Sequence, residues 1–262
     1  MAKCLLTTSI MERNKKRYET LAFCLGILLT GVLIQAAGWL KSDRLVFPDV
    51  GEILAAFVRM LGTGKTWRQI GTTLLHLAEA LAVSTVIGTA LGLLQGRSPF
   101  IRTLLKPLMI LLRSIPMIVM TVIIMVVTRY ENVPLLATSL MLIPLISEAT
   151  CEGFLRIDPE LIDVYRMNSG FTPRVLFQVY LPLMAGYLKQ AYVNAVGMGI
   201  KLTVTTEYLV QARDTLGKAV YSSSYFSDYD EVYAYALIMI LLAVLVSGLP
   251  KWIGKAYRKS HP

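Results

Sequence analysis

The sequence predicts an all-α protein that threads a membrane six times, and three observations carry that reading. Of 262 residues, 55% are hydrophobic and only 16% are charged, and the mean hydropathy is +0.58. An ordinary soluble domain carries about a quarter charged residues. The apolar residues gather in runs close to the ~20 that an α-helix needs to cross a bilayer. The formal charge of +9 sits largely between those runs. Basic loops of polytopic proteins hold such charge, so no nucleic-acid partner is read from it.

Residues 1–19 are polar and basic, with Lys15-Lys16-Arg17 beside the first apolar run. That run, Thr20 to Leu40, is too long for a signal-peptide core and has no small-residue cleavage site, so it reads as a retained first span at about 20–40. Residues 41–68 are mixed. Pro48-Asp49-Val50-Gly51-Glu52 opens a short amphipathic helix to about Leu61, suited to lying along a membrane surface. Further spans are expected at about 69–95, 105–128, 133–148, 187–210 and 232–250, the fourth being short. The chain divides into a cytosolic segment 1–19, one transmembrane domain 20–253 with a polar loop at 149–186, and a cytosolic tail 254–262. No internal repeat, low-complexity tract or soluble domain is visible.

Charge fixes an expected orientation. With the N-terminus in the cytosol, segments 1–19, 96–106, 149–186 and 251–262 hold 15 basic residues, against 8 in 41–68, 129–132 and 211–231. That is the positive-inside bias, and it puts both termini and the 149–186 loop in the cytosol.

The loop contains the longest polar interruption of the second half, Asp158 to Pro182. It has helix punctuation. Asp158 is a good N-cap, Pro159 is tolerated in a first turn, and Glu160 places negative charge at the positive end of the dipole. Leu161, Ile162 and Tyr165 share a face, and Gly170 can close the helix. Thr172-Pro173 starts a second piece, which Pro182 is expected to end. Two readings stand: a docking surface, or a cytosolic loop that is merely helical.

The spacing of this stretch resembles the conserved cytoplasmic loop of permease subunits of binding-protein-dependent ABC importers. That loop reads Glu-Ala-Ala, three residues, Gly, nine residues, Ile, one residue, Leu-Pro. Counting back from Leu181-Pro182, Val179 stands in the isoleucine place, Ser169 in the glycine place and Asp163-Val164-Tyr165 in the Glu-Ala-Ala places. Spacing and Leu-Pro are kept; the small residues are not. Gly153 and Ile157-Asp158-Pro159 resemble the subgroup that imports sulfonates, taurine, nitrate and thiamine-precursor pyrimidines. Pro48 with Gly51, the Arg113-Ser114-Ile115-Pro116 run, Glu207 and Leu216-Gly217 also match, from about Phe47 to the sixth span. The resemblance implies a type I ABC importer permease fold with a cytosolic coupling helix. Its ATPase-coupling residues would be Asp158, Pro159, Glu160, Leu161, Ile162, Asp163, Tyr165, Arg166, Ser169 and Gly170.

Other features bear on chemistry. Gly64-Lys65-Thr66 resembles the end of a phosphate-binding loop, but the glycine required five positions earlier is Arg59 and no strand precedes it. With only His76 and His261 there is no histidine-based metal site, and Cys4, Cys24 and Cys151 have no metal spacing. Nothing supports catalysis. Gly88, Gly92 and Gly96 allow close helix approach, within one subunit or at a dimer seam. Met117 to Val127 is almost wholly apolar and suits a pathway, lipid contact or core packing. Arg113 either snorkels to the cytosolic surface or pairs with Glu148. Glu79 and Lys201 fall at matching depth, roughly 15 and 14 Å below the outer surface at 1.5 Å per residue. They are expected to face the interior, as a pair locking two helices or as two sides of a solute pathway. His76 and Thr205 make their helical faces partly polar.

These observations point to a non-enzymatic permease, and the resemblance to that subgroup implies a pathway for a small, anionic or heteroaromatic solute. His76, Glu79, Arg113, Lys201, Thr205 and Glu207 are the pathway candidates. The resemblance implies two cytosolic ATP-binding subunits, a second permease copy as a homodimer, and an extracytoplasmic substrate-binding protein. It places the chain in a bacterial inner membrane. No cofactor is expected on this chain; ATP and Mg belong to the ATPase. The competing reading is an ion-coupled secondary transporter, which usually shows repeated halves and paired intramembrane carboxylates.

Overall fold

The computed structural model describes residues 48–158, 160 and 173–260, with the side chains of 173, 177 and 247–260 outside that description. The expected first span at 20–40 and all but Asp158 and Glu160 of the coupling residues lie outside the described residues. The described elements are helical throughout: α1 (Val50–Leu61), α2 (Gly64–Arg97), α3 (Pro99–Ser114), α4 (Met117–Val127), α5 (Val133–Leu155), α6 (Leu181–Val210), α7 (Leu216–Tyr225) and α8 (Tyr229–Ser260).

The amphipathic helix read at Pro48 forms as α1. The Asp49 backbone N–H donates to the Glu52 carboxylate at 3.0 Å, and Ile53, Ala56 and Met60 are its buried face. That face packs on α8, and Arg59 reaches Asp230 and Glu231 at 3.5 and 3.3 Å. The opposite face, with Leu54 and Val58, is exposed.

The core is built on α2, α5 and α6. Gly88, Gly92 and Gly96 decide how α2 meets α5. A Cβ built at Gly92 would lie 2.5 Å from the Ser147 carbonyl oxygen and 2.5 Å from Thr150 Cβ; at Gly88 it would meet Ile146 at 2.9 Å, and at Gly96 Phe154 at 2.7 Å. The glycine stripe is therefore a contact within one chain, the first of the two readings of that spacing. Leu142, Ile146 and Ala195 fill the space between α5 and α6. Gln95 Nε2 donates to Ser147 Oγ across the α2–α5 contact at 2.8 Å.

Three expectations are corrected. The span at 105–128 is not one straight helix. It breaks between Ser114 and Met117, and α3 and α4 meet at 103°. Pro116 has no N–H to continue the ladder, and it drives Ile115 to extended backbone at φ −67°, ψ 125°. The fourth span does not stop at 148: α5 runs on to Leu155 with Pro144 inside it. Pro182 does not end a helical piece. A helical turn at Pro173–Val175 passes through a wide π turn at Leu176–Tyr180 straight into α6, where Pro182 occupies the first turn. Pro182 has no N–H to continue the ladder, and the π turn immediately before it, where the Leu181 N–H reaches back to the Leu176 carbonyl, is the local change of register that accommodates it.

By length and composition, α2, the Tyr130–Leu155 segment and Tyr229–Val246 can cross a membrane among the described residues, with a fourth span if the bent α3–α4 pair counts as one. At 30 residues α6 is about 45 Å long, but Lys189, Lys201 and Glu207 interrupt its apolar content. Helix α8 continues to Ser260, through the boundary drawn at 253.

The glycine contact yields a paired test. Gly92→Ala should cost about 1–3 kcal/mol through overpacking. Gly71, on the same helix with nothing within 4 Å of an added Cβ, should accept alanine within about 0.5 kcal/mol or gain slightly. Thermal unfolding of the purified variants checks this; equal melting temperatures would contradict the close α2–α5 contact.

Candidate functional site

Glu207 is the most constrained polar group of the described residues. It lies near the C-terminal end of α6 and is 0% exposed. A carboxylate so buried needs partners, and two other elements supply them. From α2, Thr73 Oγ1 donates to Glu207 Oε2 at 2.8 Å, and His76 Nδ1 lies 2.8 Å from Oε1. Beside a carboxylate oxygen that ring nitrogen is the N–H donor. From α7, the Gly217 N–H donates to Oε2 at 3.3 Å, and the neighbouring Leu216 N–H donates to Thr73 Oγ1 at 3.0 Å. The first turn of α7 therefore brings its unsatisfied N–H groups and positive dipole end to the carboxylate.

The local sequence builds this arrangement. Helix α6 ends at Gln211, which takes a left-handed conformation at φ 52°, and Thr215 caps α7 by accepting from Lys218 N–H at 3.2 Å. Gly217 is required because a Cβ there would fall 2.5 Å from Glu207 Cβ and 2.5 Å from the Tyr208 nitrogen. The sequence matches at Glu207 and Leu216-Gly217 are thus one contact in space. Thr73 carries it too, and sequence reading missed it: a threonine in an apolar helix gives no signal of its own.

Glu79 and Lys201 do not pair. Both are exposed, and neither forms an ion pair among the described residues. The reason is helical register. Leu77, Ala80 and Ser84 point α2 at the core, leaving Glu79 on the flank. On α6, Ala195, Gly199, Thr203 and Thr206 are buried, leaving Asn194, Lys201 and Thr205 outward. The Thr205 hydroxyl donates back to the Lys201 carbonyl at 2.7 Å. His76, expected on the same face as Glu79, turns instead to Glu207. Gln190, Asn194, Lys201 and Thr205 together form an exposed polar stripe along α6.

Arg113, the last basic residue of α3, forms an ion pair with Glu148 of α5; the two side chains are 56% and 52% exposed. A pair so exposed contributes at most about 1 kcal/mol. Of the coupling residues, Asp158 and Glu160 are described: the Glu160 N–H donates to Asp158 Oδ1 at 3.0 Å, an N-cap contact.

The Glu207 cluster predicts a graded loss of stability. Glu207→Ala should cost about 3–5 kcal/mol, as breaking a buried charged network does. His76→Ala should cost less, about 1–3 kcal/mol, because the imidazole is 18% exposed. Melting temperatures of purified variants test the order, and a Glu207→Ala protein as stable as the parent would remove the role given to this group.

Comparison with known proteins gives three findings. No curated protein matches the chain. Among solved structures, the fold matches a chain of the MetNI methionine ABC transporter in inward-facing conformations, at 18% identity and TM-score 0.59, covering 72% of this chain and 93% of that chain. At that identity the likeness speaks for the fold, an all-α permease fold of the type I ABC class. The family described as binding-protein-dependent transport system inner membrane component matches residues 84–259, which include the glycine stripe, Arg113, Glu207 and Gly217. The chain belongs to this family of inner-membrane transport components, a non-enzymatic membrane-spanning permease.

Proposed function

We propose that this permease forms the translocation pathway of an ABC importer for a small anionic or heteroaromatic solute. Two identical copies enclose the pathway, two cytosolic ATPase subunits drive it, and an extracytoplasmic binding protein delivers the solute. Both termini lie in the cytosol, as the charge bias supports. ATP and Mg belong to the ATPase subunits.

The observation that carries the reading is the outward polar stripe of α6. From Gln190 to Thr205 it extends about 22 Å, and its side chains are not covered by the rest of the chain. Amide, hydroxyl and ammonium groups at that depth are costly against lipid and need water or a second protein surface. Lys201 offers a positive site to a passing anion, with Thr205 one turn away, while Glu79 and Arg113 flank the same route. His76 and Glu207 brace its wall. At the cytosolic end, Asp158, Pro159, Glu160, Leu161, Ile162, Asp163, Tyr165, Arg166, Ser169 and Gly170 form the coupling element, and its movement switches the pair between outward-open and inward-open forms.

Two variants test this in proteoliposomes containing the permease and its co-purified ATPase. Tyr165→Asp should uncouple hydrolysis from uptake while the permease stays in the membrane; normal uptake would refute the docking role. Lys201→Ala should keep the ATPase bound yet lower uptake by about tenfold, the equivalent of one charge-assisted hydrogen bond. Uptake at the parental rate would remove Lys201 from the pathway.

A further inference from the structure

Helix α3 has two chemically opposite faces. Phe100, Leu104, Leu108 and Leu111 recur every three or four residues and are 75%, 61%, 46% and 53% exposed. Arg102, Lys106 and Arg113 recur on the other side. No residue of α3 is buried. In a membrane protein the apolar face suits lipid, which turns the cationic face inward toward α5. There it lines a cavity of about 400 Å³ whose other walls include Gln95, Met109, Ile110, Pro144, Glu152 and Leu155. That volume falls within the range of small-molecule sites, which combine apolar walls with a few fixed polar groups.

The charges in this cavity do not cancel. Arg113 is taken up by Glu148. Arg102 is held in place, its Nε donating to the Gln95 carbonyl at 3.1 Å, while the Gln95 amide donates to Ser147 Oγ at 2.8 Å. That bond uses one of the five guanidinium N–H donors, and the Cys151 thiol takes up another. Neither Arg102 nor Lys106 forms an ion pair among the described residues. Against these two cations stands one carboxylate outside an ion pair, Glu152, on the facing wall.

We infer that the α3–α5 cavity is a binding site for an organic anion, a carboxylate or sulfonate with an apolar body. Arg102 and Lys106 engage the acidic group, and Met109, Ile110, Pro144 and Leu155 cover the apolar part. The guanidinium fork suits a two-oxygen anion, and Lys106 adds a point charge. The site lies at the end of the membrane domain that holds Arg97 and Leu155, about one bilayer leaflet from Lys201. Its transport role as a cytosolic-side way station rests on the proposed permease function; the binding itself does not.

The test is equilibrium dialysis of radiolabelled benzenesulfonate against the full-length permease in lipid nanodiscs, with benzylamine as the matched cation. Saturable benzenesulfonate binding at least about tenfold tighter than benzylamine is expected, the difference one charge-assisted contact makes. Arg102→Ala with Lys106→Ala should weaken it by at least that factor. Lys106→Ala alone, at an exposed position, should weaken it measurably even where the double variant folds poorly. Glu152→Gln should leave binding equal or tighter, and Arg129→Ala, an exposed cation beyond the far end of α4, should leave it unchanged. Equal binding of sulfonate and amine, or anion binding indifferent to Lys106 and to the double change, would overturn the site. If the ATPase co-purifies and the anion does not bind, this inference fails alone. If the anion binds and no ATPase is ever captured, the importer reading fails and the site stands.

Discussion

A single buried carboxylate ties three of the described helices together. Glu207 has no contact with solvent, so its ionised form needs every donor it has. Those donors come from α2 and from the first turn of α7, while the carboxylate itself belongs to α6. The three elements therefore cannot shift independently without leaving a charge unsolvated in a low-dielectric interior. The turn at Gln211 and the missing side chain at Gly217 exist in service of that contact, because α7 must reach within van der Waals distance of Glu207. The network holds α2, α6 and α7 as one unit.

The same unit is held from its other side by close packing. Lipid offers helices no hydrophobic drive to associate, so contact area and backbone approach must do so. Gly88, Gly92 and Gly96 let α5 lie against the α2 backbone, and the Gln95–Ser147 hydrogen bond adds a directional contact at the end of that seam. That leaves the outward faces of α5 and α6 free to carry polar residues. Core packing and the exposed stripe are two consequences of one register.

Proline sets the third feature. The break at Pro116 separates an amphipathic α3 from the almost wholly apolar α4. Bent by 103° from its neighbour, α3 turns an exposed apolar side outward and its cationic side toward α5, where Arg102, Lys106 and Arg113 line a cavity. Pro107 and Pro144 are carried inside α3 and α5 without breaking either helix. Pro116 differs because Ile115 before it is extended and opens the chain.

The sequence by itself determined the fold class, the amphipathic helix after Pro48, the apolar helices where α2, α5 and α8 lie, and the transport family. Hydropathy and helix punctuation are local properties of the chain, and the loop spacing is a pattern along it. The glycine stripe announced a close contact but not its partner, since four-residue spacing describes one helix face and is silent about what meets it. Glu207, His76 and Gly217 were each visible as residues of interest. Their union with Thr73 was not, because it depends on where α7 folds back after the turn at Gln211. Glu79 and Lys201 share a depth, which sequence can count, but not a direction, which the core faces of α2 and α6 set. Local chemistry fixed which helices form. Only the tertiary structure decided which charges are neutralised within the chain and which are left facing outward, because that depends on register between helices far apart in sequence.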